Sequence, residues 1–152
     1  MGSEMCIRDS NWSGSLATVT VTTLDDVVNG DTSSLTALMA NYGADGISLR
    51  EAIIAANNSS GADVIQLASD VHTLSMSGTG MAESGDLDIT DNVEIIGAAD
   101  GSSEIDATGL GDRVFEIHSE ATLKNLTVTG GCLLYTSPSP RDLSTSRMPS
   151  SA

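Results

Sequence analysis

Leu87-Asp88-Ile89, followed by Val93-Glu94-Ile95-Ile96-Gly97, returns further along the chain as Val114-Phe115-Glu116-Ile117 followed by Leu123 to Gly130. The offset, roughly 30 residues, falls within the length of one solenoid unit. Other strand-length apolar runs precede this echo, at Val64-Ile65-Gln66-Leu67 and His72 to Met76, and the first copy itself extends from Leu87 to Thr90. Gly, Asp, Ser and Asn separate the runs, as in Gly78-Thr79-Gly80, Ser84-Gly85-Asp86, Asp100-Gly101 and Gly109 to Asp112. No amphipathic segment of helical length intervenes, so few helices can cover these strands. Two architectures fit: a sandwich of facing layers, or a coil in which each turn stacks on the last. In a coil, Leu, Ile and Val would pile inward on their equivalents while Asp88, Glu94 and Glu116 point to solvent. The pattern alone leaves both open.

The chain has 152 residues and a mass of 15.5 kDa, enough for one modest core. Hydrophobic residues make up 39% but aromatics only 3%, so aliphatic side chains must fill that core, which suits a narrow coil interior. Six Lys and Arg stand against 21 Asp and Glu, a net charge of −15 that repels phosphate backbones and anionic headgroups. Nucleic acid and membrane surfaces are therefore poor partners. The longest apolar stretch, Ala52 to Ala56, is far short of the ~20 residues of a membrane helix.

Composition divides the chain into residues 1–10, 11–61, 62–131 and 132–152. Cys6, Cys132, Pro138, Pro140 and Pro149 all lie in the two end segments, and no cysteine or proline lies between them. From Cys132 onward there is neither alternation nor helical spacing, and the Ser, Pro and Arg content describes an unpacked tail. The middle holds three basic residues, Arg50, Arg113 and Lys124, against 18 acidic ones, which is the whole of the −15.

Leu16 to Leu24 alternates Thr with Ala and Val, the pattern of a half-buried strand. Asn29-Gly30 is a turn signal, since both residues tolerate positive φ, and Ala44-Asp45-Gly46 is a second. Ser48-Leu49-Arg50-Glu51 then reads as a capping box. Ser48 accepts from the Glu51 amide and Glu51 reaches back to the Ser48 amide. Leu49, Ile53 and Ala56 share one helical face with Ala52 beside them, and Asn57-Asn58 and Gly61 end the helix.

Ile47-Ser48-Leu49-Arg50-Glu51-Ala52-Ile53 resembles the signature of the CSLREA domain, a bacterial module, matching five of its six letters and the Ile that usually follows. The context is similar as well: a Thr/Val strand ending in Asp-Asp, the motif, Ala-Ala-Asn-Asn, then Gly61-Ala62-Asp63-Val64-Ile65 and later Leu126 to Gly131. The resemblance covers nearly all of Thr18 to Gly131. It implies a mainly β fold, the start of a right-handed parallel β-helix (solenoid) of the pectin-lyase-like type with a short capping α-helix. It also implies an exported protein at the bacterial cell surface or outside the cell. The family's Cys is Ile47 here, so any disulfide at that point is lost; Ile47 can instead pack towards Ala52 as a hydrophobic staple. An open coil end exposes strand edges and an apolar interior, and the capped helix, with Ser48, Leu49, Arg50, Glu51, Ala52 and Ile53, is its lid. Arg50 is expected to make a salt bridge or carbonyl contact inside the cap rather than bind a ligand. MGSEMCIRDS and CLLYTSPSPRDLSTSRMPSSA resemble translated sequencing-adapter read-through, which implies a clipped gene with any signal peptide and the downstream coils missing.

For chemistry, Asp86, Asp88 and Asp91 form the candidate cluster, with Asp86 and Asp88 on one strand face, as calcium binding or paired-carboxylate glycoside chemistry requires. A solvated acidic face is the simpler reading, because 18 acids make such coincidences common. Asp26-Val27-Val28-Asn29-Gly30-Asp31 departs from the calcium-loop pattern in spacing and lacks its closing Glu. His72 and His118 stand without a nearby Cys or second His, so each reads as a strand-face residue. Asn58-Ser59-Ser60 and Asn125-Leu126-Thr127 fit a glycosylation pattern that a bacterial source makes incidental. The expected function is the cap and first coils of a surface β-helix protein that binds or adheres, with no catalysis and no cofactor. Its partner is expected to be a surface glycan or protein held by the missing coils, with self-association through the uncapped last coil. The alternatives are a fragment of a polysaccharide lyase or hydrolase, and a calcium-stabilised structural module.

Overall fold

A computed structural model describes residues 17–78 and 82–131. The leader, Leu16, Thr79-Gly80 of the Gly78 turn and everything from Cys132 onward lie outside these residues. The elements run β1 (Ala17–Thr20), α1 (Leu35–Ala40), α2 (Leu49–Asn57), β2 (Asp63–Gln66), β3 (Val71–Thr73), β4 (Leu87–Ile89), β5 (Val93–Ile96), β6 (Ser103–Asp106), β7 (Phe115–Ile117), β8 (Ala121–Lys124) and β9 (Leu126–Thr129). The fold is mainly β, with short strands and two short helices.

Three parallel sheets organise the strands, in the orders β1-β2-β5-β8, β3-β6-β9 and β4-β7. From β2 onward the chain visits the first, second and third sheet in turn and then returns to the first. Every pairing among the described residues is parallel, which overturns the sandwich of antiparallel layers. The sequence echo is a stacking register: Leu87 pairs with Phe115, Ile89 with Ile117 and Ile95 with Leu123.

Period-two alternation turns one set of side chains inward from each strand. Val19, Ile65, Ile95 and Leu123 form one file through the first sheet, and His72, Ile105 and Val128 another through the second. Val19, Ile65, Ile95, His72 and Ile105 are buried, as are Leu87 and Ile89 of the third sheet. At the last rung the same files emerge: Ile117, Leu123 and Val128 are 47%, 40% and 38% exposed.

The corners are where the chain has least freedom. Leu123 to Thr129 is not one strand but two, because Asn125 takes φ 56° and turns β8 into β9. Asn is among the few residues that visit this left-handed region at modest cost. One rung earlier Gly97 donates its amide to the Lys124 carbonyl at 2.8 Å, and a Cβ on Gly97 would collide with the Asn125 carbonyl oxygen. Backbone there meets backbone. Gly97→Ala is therefore expected to cost about 1–3 kcal/mol, the range for overpacking a filled site. Urea denaturation measures it, and an unchanged midpoint would show that the rungs slide apart freely.

Candidate functional site

The motif Ser48 to Ile53 opens a capped helix that is buried from Leu49 to Ala56. Ser48 is in extended conformation as N-cap; its Oγ accepts from the Glu51 amide at 3.1 Å and donates to the Val27 carbonyl at 2.6 Å. Glu51 Oε2 returns to the Ser48 amide at 3.0 Å, while Oε1 takes the amides of Asn29 and Gly30 at 2.7 and 2.6 Å. Asn29-Gly30 thus does not form a turn with positive φ, since neither residue is in that region; a carboxylate from the helix shapes the loop instead. Nor is only one helical face covered. Every residue from Leu49 to Ala56 is buried, because the loop before the helix and the segment leading into β4 close over its polar side.

Arg50 holds those two segments. Its Nε donates to Asp26 Oδ1 at 2.5 Å and its Nη2 to Asp26 Oδ2 at 3.0 Å, while Nη1 and Nη2 donate to the carbonyls of Ala82 and Gly85 at 2.8 and 3.0 Å. Both side chains of the pair are fully buried. Asp26 Oδ2 also accepts the amides of Ser75 and Met76 at 2.7 and 2.6 Å, just beyond β3.

The same region closes strand edges. Thr73 of β3 donates its amide to the Leu24 carbonyl at 3.2 Å. Asn57, at the end of α2, donates from Nδ2 to the Asp88 carbonyl at 2.8 Å and accepts the Thr90 amide at 2.9 Å. A side-chain amide thereby stands where a neighbouring strand would pair with β4. Beyond β1, the amides of Thr22 and Thr23 bond to the Ile47 carbonyl at 2.8 and 3.1 Å. Ile47 itself is buried in the same apolar cluster as Ala52.

The acidic cluster is rearranged relative to the sequence reading. Asp86 and Asp88 come together, but Asp91 does not join them; it lies near Asp63, whose carboxyl is raised by burial and, to a smaller extent, by Asp91. Arg113, Glu116 and His118 take its place. Arg113 Nε reaches Asp86 Oδ2 at 2.8 Å and Nη2 reaches Glu116 Oε1 at 3.1 Å. His118 Nε2 stands 3.4 Å from Asp88 Oδ1 and 3.8 Å from Glu116 Oε2.

Asp88 does not point to open solvent: it is buried, because Glu116 stacks beneath it in register and these side chains crowd over it. Burial raises its carboxyl above the usual range, and Asp86 and Glu116 add to the effect against a partial offset from His118. Glu94 and Glu116 are half-buried, Glu94 in an ion pair with Lys124.

Asp26 and Asp31 do not converge as a calcium loop would. Asp26 is committed to Arg50, and Asp31 Oδ1 accepts from the Ser33 amide and hydroxyl at 3.1 and 2.6 Å. His72 faces inward, with Nε2 3.4 Å from the Ala68 carbonyl and Nδ1 without a hydrogen-bond partner among the described residues. Burial lowers its imidazole below the ordinary 6.5, and the Ala68 carbonyl and Asp70 offset part of the shift. A lowered folded value means that the folded state resists protonation. Stability is intact above pH 6.5 and falls as the pH drops through that value towards the folded one. His72→Leu, matching its stacking partner Ile105 in character, is expected to remove this loss. Melting curves of the two proteins should diverge in the variant's favour below about pH 6, and parallel curves across that window would contradict the burial argument.

No family model matches the chain, and neither the curated proteins nor the solved structures contain a match to it.

Proposed function

We propose that the chain is the N-terminal cap and first coils of a right-handed parallel β-helix, belonging to an exported bacterial protein that binds or adheres at the cell surface. The observation that carries this reading is the cyclic visiting of three parallel sheets, begun beneath a buried helix whose neighbourhood satisfies the first edges of β3 and β4. A lid of this kind prevents one coil from pairing end to end with another at its N-terminal side. The emergent aliphatics Ile117, Leu123 and Val128 support continuation into further coils that carry the ligand surface. The motif at Ser48 to Ile53 supports the CSLREA assignment through the work its residues do: capping, loop anchoring and closure.

The rival reading is a polysaccharide lyase or hydrolase with its cleft on later coils. The paired carboxylates at Asp86 and Asp88 give it only slight support, because Arg113 already engages Asp86. Expression of the uninterrupted reading frame, assayed for both retention and cleavage of bacterial and plant acidic glycans, separates the two. Retention without turnover is expected. Turnover that disappears when acids on the downstream coils are replaced would transfer the protein to the enzymes.

A further inference from the structure

We propose that Asp88, Glu116 and His118 form a binding site for a divalent transition metal of the zinc class on the outer face of the third sheet. One ligand atom from each lies within 4.8 Å of the others. Two observations separate this group from an ordinary acidic surface. The first is the state of Asp88: its side chain is only 8% exposed, and it is stacked in register on a second carboxylate. Like charges placed opposite each other on neighbouring strands oppose pairing. Among the described residues, the side chain that engages the Asp88 carboxylate is His118, at 3.4 Å, beyond the usual 2.7–3.2 Å of a nitrogen–oxygen hydrogen bond. A buried carboxylate so poorly matched is relieved either by a proton or by a cation, and the spacing of its neighbours favours the cation.

The second observation is the spacing. Ligand atoms about 2.1 Å from a tetrahedral zinc ion are separated from one another by about 3.4 Å. His118 Nε2 stands 3.4 and 3.8 Å from the two carboxylate oxygens, too far for good hydrogen bonds and close to ligand separation. The surroundings already orient the set. Arg113 occupies Glu116 Oε1, and the other oxygen, Oε2, is the one nearer His118. Arg113 also neutralises Asp86, so the charge left for an ion is that of Asp88 and Glu116. An imidazole with two carboxylates suits zinc, and too few oxygens converge for calcium. His118 is half-exposed, which gives an ion a way in and leaves water the remaining position.

Calorimetric titration with Zn2+ tests the site in a Cys6→Ser, Cys132→Ser background, because thiolates would take the same ion. One equivalent is expected to bind with a micromolar or tighter constant and to raise the melting temperature, while Ca2+ at the same concentration does neither. His118→Ala and Asp88→Asn should each weaken binding at least tenfold, with circular dichroism confirming that both variants remain folded. His72→Leu should bind as the parent does. A Co2+ titration should develop a visible absorption band that His118→Ala lacks, a readout independent of stability. Zinc binding that is absent, or that persists unchanged in His118→Ala, would overturn the proposal.

Discussion

Arg50→Ala is expected to remove about 3–5 kcal/mol of unfolding free energy, the usual cost of breaking a buried ion pair from one side. For a small domain stable by about 5–15 kcal/mol, that is about a fifth of the total at the least. The size follows from what is left behind. Asp26 would remain buried with only the Ser75 and Met76 amides, and the carbonyls of Ala82 and Gly85 would lose their donors inside the fold. Arg50→Lys is expected to fall between Ala and the parent, because an ammonium keeps the charge but cannot span Asp26 and two carbonyls with a planar fork. Asp26→Ala should also be severe, and the double replacement should cost less than the two single losses combined. Urea titration of the four proteins gives the coupling. A loss below 1 kcal/mol for Arg50→Ala, additive with Asp26→Ala, would mean that the guanidinium merely occupies space.

What the sequence discloses depends on how far apart the interacting residues lie. Strands β2, β4 and β5 are legible because alternation and β-branched content act within four residues. The capping box is legible because Ser48 and Glu51 are one helical turn apart. β6 escapes notice: Ser103-Glu104-Ile105-Asp106 offers a single aliphatic, and its other inward residue, Ser103, is buried as a hydroxyl bonded to the Ala68 carbonyl at 2.6 Å. The break at Asn125 does leave a local trace: Lys124 and Asn125 are two polar residues in succession, so the aliphatics change phase between Leu123 and the pair Leu126 and Val128, and a reading of Leu123 to Thr129 as one run passes over that shift.

Long-range partners account for the remaining differences. Asp26 looks like a calcium-loop ligand until Arg50, 24 residues away, claims both its oxygens. Asp88 looks solvent-facing because alternation sets it opposite Leu87 and Ile89; what buries it is a rung 28 residues further on, carrying Glu116 and His118. A single helical period likewise cannot reveal that both sides of α2 are covered, because the second cover is loop. The stacking period itself was visible, but the clusters that stacking creates were not. Where parallel neighbours lie some 28 residues apart, as β4 and β7 do, a site on their shared face is assembled across that interval.

Glu51→Ala is expected to be nearly as damaging as Arg50→Ala, for a different reason. The Glu51 carboxylate is a buried acceptor for three backbone amides, those of Asn29, Gly30 and Ser48. Deleting it leaves three donors without partners, each costing about 1–3 kcal/mol if water cannot reach it. Glu51→Gln distinguishes this from a loss of packing, since it keeps the shape. The amide oxygen can still serve Asn29 and Gly30, but the NH2 group then faces the Ser48 amide, donor against donor. One bond is lost instead of three, so Gln should cost about 1–3 kcal/mol and Ala distinctly more. Ser48→Ala should lie in the upper part of the range of about 0.5–2 kcal/mol for an N-cap, because its hydroxyl also donates to the Val27 carbonyl. Hydrogen exchange locates the effect: the Asn29 and Gly30 amides should lose protection in Glu51→Ala while β5 keeps its own. If Gln proves as harmful as Ala, or if those two amides exchange at the parent's rate in the Ala variant, the carboxylate does not hold the loop, and the enclosure of α2 rests on other contacts, those of Arg50 among them.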